Sequence, residues 1–258
     1  MIKQFKQNGI LCVFLAMMLL LSICPSESKA KLLFKDDFED STIGKPPANW
    51  THLGPPKGYA GGGLSVVEAD PLDANNKVFH LIPKGQDTNS HDLWSVHDGD
   101  KAWVNYVCEF DWLIPEDTYC PFAFRVMNVD EFCQVSRRPG LVEFHIYQHT
   151  AQQAWNSIRN FSFKHEIQKW YRVQIAIKDE EFTFKIKDRD DDTPFAKMGE
   201  PDIIAEANVG VLFPYGGIAA QEGYTGMIDN VGIGETEADI YAVESKGKLA
   251  SCWGMLKK

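Results

Sequence analysis

The sequence predicts an all-β fold, a two-sheet antiparallel sandwich formed as one domain by residues 31–235. Three observations carry this prediction. Short runs of alternating apolar and polar residues follow one another through the stretch, each bounded by turn residues. Aromatics make up 12% of the chain and come with 20 Gly and 13 Pro, a composition that suits pleated strands joined by many turns. No window carries a long helical period, and no internal repeat is visible.

The clearest strand runs from Trp103 to Leu113. Val104, Tyr106, Cys108, Phe110 and Trp112 share one face, and Asn105, Glu109 and Asp111 share the other. Phe122, Phe124 and Val126 repeat the alternation with Arg125 opposite. Val142, Phe144 and Ile146 repeat it again, opposed by Glu143, His145 and Tyr147. A hairpin follows: Tyr171, Val173, Ile175 and Ile177 alternate, Lys178-Asp179-Glu180 turns, and Phe182, Phe184 and Ile186 alternate back. Beyond Glu235 the pattern lapses, so 236–258 reads as a surface tail.

The first thirty residues read differently. Lys3 and Lys6 precede an apolar run from Ile10 to Ile23, and Ser28 and Ala30 are small residues suited to a peptidase site. This is the layout of a secretory signal cut after Ala30, and the run is shorter than the roughly 20 residues of a membrane span. Leu21-Ser22-Ile23-Cys24 loosely matches a lipoprotein box and supplies the alternative, a lipid anchor on Cys24. Loss of Lys3, Lys6, Glu27 and Lys29 with the signal takes the net charge from −10 to −12. An acidic balance of this kind excludes a nucleic-acid partner that relies on neutralising phosphates. Export also leaves Cys108, Cys120, Cys133 and Cys252 in an oxidising compartment, with one bridge expected among the first three.

Four segments resemble a known group. "FKDDFEDSTIGKPPANW" opens the domain, "FRVMNVDEF" and "KWYRVQIAIKDEEFTFKIKD" lie within it, and "GYTGMIDNVGIGE" closes it. Together they resemble secreted bacterial domains of the concanavalin A-like lectin/glucanase superfamily, including laminin-G-like and 3-keto-disaccharide hydrolase-like domains. The resemblance implies a jelly-roll sandwich that binds carbohydrate on its concave sheet face. The galactose-binding-like jelly roll is the alternative fold. The resemblance also implies a structural Ca2+ where the chain ends meet, with Asp37 and Asp229 as its ligands. Family 16 glycosidases carry an E-x-D-x-x-E or E-x-D-x-E strand motif. Here Glu109-Phe110-Asp111 is present, but Leu113 or Ile114 stands in the place of the second glutamate and Glu116 lies beyond Pro115. A two-carboxylate glycosidase mechanism lacks its partner.

The candidate ligand face gathers the polar phase of three strands: Glu109, Asp111, Arg125, Glu143, His145 and Tyr147. Carboxylates, a guanidinium, an imidazole and a phenol on one surface suit sugar hydroxyls, provided that the strands are neighbours. Glu143, His145 and Arg125 are the catalytic candidates if chemistry occurs there. Trp94, Trp103 and Trp155 sit in polar surroundings and are candidate stacking platforms, whereas Trp50, Trp112 and Trp170 read as core. His91-Asp92 and His97-Asp98 flank Trp94 with no third metal ligand evident. Three functions stay open: a glycan-recognition module, a hydrolase of the 3-keto-disaccharide type, and a structural surface protein.

Overall fold

The computed structural model describes residues 31–83, 91–96, 103–140, 143–152, 155–200, 203–206, 216–222 and 225–241. The expected signal 1–30 with Cys24, the His97-Asp98 pair, Val142 and Cys252 lie outside them. Among the described residues, no helix is long and apolar enough to cross a membrane.

The strands, in chain order, are β1 (Leu32–Asp36), β2 (Thr51–Gly54), β3 (Val66–Asp70), β4 (Asp73–Leu81) and β5 (Leu93–Val96). There follow β6 (Tyr106–Leu113), β7 (Cys120–Asn128), β8 (Glu131–Arg137), β9 (Glu143–His149) and β10 (Asn156–Ser162). The last five are β11 (Trp170–Lys178), β12 (Glu181–Asp188), β13 (Ile203–Glu206), β14 (Gly217–Gln221) and β15 (Gly226–Gly234). They form two antiparallel sheets. The eight-stranded sheet runs β13-β12-β11-β6-β15-β4-β3, with β1 also paired to β15. The seven-stranded sheet runs β10-β9-β8-β7-β14-β5-β2. The protein is an all-β, two-sheet antiparallel jelly-roll sandwich: the alternation predicts the sandwich, and the resemblance implies the jelly roll.

The core lies between the sheets and is built from the predicted apolar phases. Tyr106, Cys108, Phe110 and Trp112 of β6 face Phe122 and Phe124 of β7 and Phe144 and Ile146 of β9. The Phe110 and Phe122 rings stack across the gap at 3.9 Å. Burying side chains of this size contributes roughly 1.5–3 kcal/mol apiece. The hairpin falls where expected, with Lys178 opposite Glu181 and Asp179 in the left-handed region at φ 52°.

Three expectations are corrected here. Arg125 does not lie in the polar phase of β7. Its backbone is left-handed (φ 53°), and the register to both neighbouring strands shifts there. This bulge turns Arg125 inward, where its backbone N–H donates to Tyr106 Oη (3.0 Å) and its Nη2 to the Asp179 carbonyl (2.8 Å). Val126 is carried to the opposite face, into a small cluster with Ala123, Phe132, Leu93 and Ala219. Gly216 makes the bulge possible, because a Cβ there would sit 2.5 Å from the Arg125 carbonyl carbon. Second, Cys108, Cys120 and Cys133 are free, buried thiols rather than bridge partners. Cys120 Sγ accepts the Trp112 indole N–H at 2.9 Å, and burial pushes its pKa up to about 12. Third, the segment after Glu235 is packed at its start. A helical turn at 237–241 buries Ile240 and Asp239, and Asp239 accepts from the Lys31 and Thr236 backbone N–H groups.

Candidate ligand-binding site

The predicted face divides between the two sheets, because the chain crosses the sandwich between β6 and β7. Glu109 and Asp111 lie on β6 of the eight-stranded sheet, whereas Glu143, His145 and Tyr147 lie on β9 of the other. Neither β6 carboxylate is available to a ligand. Asp111 is fully buried, bridged by Arg172 through Nε (2.7 Å) and Nη2 (3.0 Å) and bonded by Asn230 Nδ2 (2.9 Å). Glu109 accepts from Gln174 Nε2 (2.8 Å) and from the Tyr241 hydroxyl (2.7 Å) of the packed turn. Burial raises the Glu109 pKa against those bonds. Both residues are structural parts of this sheet.

The calcium pair is not assembled either. Asp37 is in a surface turn, where its carboxylate faces the Glu39 backbone N–H at 3.4 Å. A cleft of about 680 Å³ surrounds it, lined by Asp36, Asp37 and Asp40 together with Lys35 and Lys45, and Asp229 is not among its residues. Asp229 is buried elsewhere, and N–H donors occupy both of its oxygens: the Asn230 backbone (2.7 Å), Asn230 Nδ2 (3.0 Å) and Asn76 Nδ2 (2.9 Å). A carboxylate so saturated by donors does not suit a metal ion. Among the described residues, no group of three or more His, Cys, Asp or Glu is placed to hold a metal.

What the second sheet does assemble is a cleft of about 330 Å³ on its outer face. Tyr147 of β9, Gln134 and Ser136 of β8 and Pro121 of β7 contribute from the strands, with Tyr119, Arg138, His91 and Trp155 from flanking loops. Strand register explains the convergence. Gln134 lies opposite Tyr147 and Ser136 opposite His145, so polar phases of adjacent strands meet on one surface. A chain of hydrogen bonds crosses it. Arg138 Nη1 donates to Tyr147 Oη (2.6 Å), Tyr147 Oη lies 3.3 Å from His145 Nδ1, and His145 Nε2 is 3.0 Å from Glu143 Oε2. With the guanidinium as fixed donor, the consistent arrangement has the phenol donating to Nδ1 and Nε2–H donating to Glu143. The Arg138 guanidinium also lies 4.9 Å over the Tyr119 ring.

Aromatic rings close the other end. Trp155 packs edge-on to Tyr59 (5.6 Å), Tyr147 (6.3 Å) and His149 (4.9 Å), and its indole N–H donates to the Tyr59 hydroxyl. His149 stacks on Phe132 at 4.9 Å, which joins the cleft to the apolar cluster of Ala123, Leu93 and Ala219 beneath. Of the predicted platforms, Trp155 is therefore in the cleft. Trp103 is buried against Tyr106 (5.7 Å). Trp94 points between the sheets, edge-on to Phe79 (5.8 Å), with its indole N–H on Glu222 Oε1 (2.7 Å). Trp50, Trp112 and Trp170 are buried as expected.

Beside Trp94 lies a polar knot. Asp92 Oδ2 accepts from the Gly62 (2.6 Å) and Gly63 (3.1 Å) backbones and lies 3.3 Å from His52 Nε2, while Ser65 Oγ donates to Glu222. Burial raises the Glu222 pKa, and Asp92 adds to the effect. Tyr119, Gln134, Ser136 and Arg138 were not candidates from sequence. The alternation Cys133-Gln134-Val135-Ser136 was the signal that could have found two of them.

Two solved structures share this architecture. One is the carbohydrate-binding module CBM66 from Bacillus subtilis, 14% identical, with 72% of this chain and 95% of that chain covered at a TM-score of 0.50. The other is a Bacillus subtilis protein of unknown function with a galectin-like fold, 9% identical, with 80% and 96% covered at 0.53. At these identities the likeness is one of fold. No protein-family model and no curated protein matches the chain.

Proposed function

We propose that the protein is an exported carbohydrate-binding domain whose glycan lies in the cleft over β7, β8 and β9. The carrying observation is the chemistry of that cleft: aromatic edges from Trp155 and Tyr147 beside Gln134, Ser136 and Arg138 as hydrogen-bonding groups. Sugars present apolar C–H faces and a rim of hydroxyls, and a site with rings and polar groups answers both. Gln134 adds a specific demand. Its Oε1 is buried and has no hydrogen-bond partner among the described residues, an acceptor suited to a ligand hydroxyl. Likeness in fold to a carbohydrate-binding module supports the reading, as does the signal-like N-terminus.

The test is a soluble-glycan panel read by calorimetry on wild type, Trp155→Ala and Tyr241→Phe. Trp155→Ala is expected to weaken binding by about thirty-fold or more, the usual cost of removing an aromatic anchor. Tyr241→Phe, in the helical turn packed on the eight-stranded sheet, is expected to bind as wild type. Equal binding by wild type and Trp155→Ala would remove the cleft from consideration. A second reading, a hydrolase of the keto-disaccharide type, rests on the Tyr147–His145–Glu143 chain, which offers a phenol backed by an imidazole and a carboxylate. Release of sugar from 3-keto-glucosides, lost in His145→Ala with binding retained, would favour it.

A further inference from the structure

We infer that the glycan taken by this cleft is acidic, and that Arg138 binds the carboxylate of a uronic acid residue. The inference rests on the carbohydrate reading above and adds the charge of the ligand. Three of the described arginines carry ion pairs, Arg125 is buried on the Asp179 carbonyl and Arg159 is exposed on β10, whereas Arg138 lines the cleft. Arg137 is paired with Asp117, Arg172 with Asp111, and Arg189 lies against Asp70 and Asp190. Arg138 has no carboxylate within salt-bridge distance among the described residues, and its one side-chain hydrogen bond goes to the neutral phenol of Tyr147. In a chain with ten surplus negative charges, a half-buried guanidinium that lines a cleft and is held by a phenol and an aromatic ring is suited to an anion entering that cleft.

Glu143 is the neighbouring acid: its backbone carbonyl accepts the Arg138 backbone N–H (2.9 Å), while its carboxylate is linked to the guanidinium through His145 and Tyr147. His145 Nε2 holds that carboxylate at 3.0 Å, which keeps it off the guanidinium. Arg138 is also pre-positioned. One face of its fork is against the Tyr119 ring and one N–H is spent on Tyr147, leaving donors free at a fixed orientation. A planar carboxylate matches such a fork by two parallel hydrogen bonds, which a point charge does not reproduce. Trp155 and Gln134 then take the ring face and a hydroxyl of the same sugar.

The experiment compares galacturonate, glucuronate and mannuronate oligosaccharides with their carboxyl-reduced neutral twins, and with a sulfated oligosaccharide. The full chain and its Arg138→Gln, Arg138→Lys and Trp155→Ala variants are measured by calorimetry. Wild type is expected to bind one acidic oligosaccharide about ten- to a hundred-fold tighter than its reduced twin, the range of a hydrogen bond to a charged group. Arg138→Gln should erase that preference, Arg138→Lys should keep only part of it, and Trp155→Ala should weaken both ligands. Because carboxyl reduction alters the ligand alone, the comparison stands even if a variant folds poorly. Equal affinity for acidic and neutral twins overturns the acidic assignment while leaving carbohydrate binding intact. A preference for the sulfated sugar overturns the carboxylate, and binding to no member of the set overturns both readings.

Discussion

Asp229→Asn should change how stability depends on pH. The carboxyl of Asp229 is 1% exposed and lies opposite Asp111 in the pairing of β15 with β6. Burial, with Asp111 adding, pushes its pKa from 3.8 up to about 7, against the opposing pull of hydrogen bonds from Asn76 and Asn230. A carboxyl raised in this way holds a proton in the fold that the unfolded chain releases. Its contribution is complete below about pH 3.8 and is lost as the pH rises through about 7. The loss is about 1.4 kcal/mol per pH unit, on the order of 4 kcal/mol in all. At about 2–4 °C per kcal/mol for a domain of this size, that is on the order of 10 °C in Tm. His165 runs the other way, since burial, with Arg137 and Lys169, lowers its pKa from 6.5 to about 4. The unfolded chain then gains a proton that the fold refuses, which costs about 3 kcal/mol as the pH falls from 6.5 to 4. In wild type the two slopes oppose one another between pH 4 and 6.5. Urea unfolding of wild type, Asp229→Asn and His165→Phe at half-unit steps from pH 4 to 8.5 separates them. Asp229→Asn should gain on wild type by about 4 kcal/mol across that span, and His165→Phe should lose stability steadily from pH 4 to 7. A gap between Asp229→Asn and wild type that is equal at pH 4.5 and pH 8 would refute the reasoning.

Three further predictions follow from packing. Gly63→Ala places a methyl 1.4 Å from Glu222 Oε2 and should destabilise by about 2 kcal/mol or more, read as a fall in urea midpoint; an unchanged midpoint would mean that the Gly61–Gly63 loop is not held on that knot. Tyr241→Phe removes a hydrogen bond to buried Glu109 and should cost about 1–3 kcal/mol in the same assay, with no loss if the 237–241 turn is not docked. Cys108, Cys120 and Cys133 should react with a thiol reagent only after unfolding, and reductant should leave the midpoint unmoved; a reductant-sensitive midpoint would restore the expected bridge.

The sandwich is legible because alternation fixes which side of a strand meets the core, and that rule needs no partner strand. It predicted the inward residues of β6, β11 and β12 and the described ones of β9, but not Val104, which precedes β6 and is 53% exposed. It failed at Arg125, where a single left-handed residue reverses the phase of everything after it in β7, so that Val126 and Arg125 exchange sides. Nothing in Phe124-Arg125-Val126 announces the bulge; the cause is distant, in Gly216 admitting the close approach and Tyr106 receiving the freed N–H. The candidate face failed for a related reason. Phase tells that Glu109 and Glu143 both point away from the core, but a sandwich has two outer faces, and only the crossing between β6 and β7 decides which residue belongs to which. Once the strands are sorted, composition divides cleanly. On the eight-stranded sheet, Asp111 is paired with Arg172 and Glu109 accepts from Gln174 and Tyr241, so neither β6 carboxylate is left for a ligand. On the seven-stranded sheet the guanidinium of Arg138 is stacked, aimed and not neutralised by a contacting carboxylate. The surplus of acid that excludes nucleic acid for the whole molecule therefore does not govern the cleft, where the local charge favours an anion.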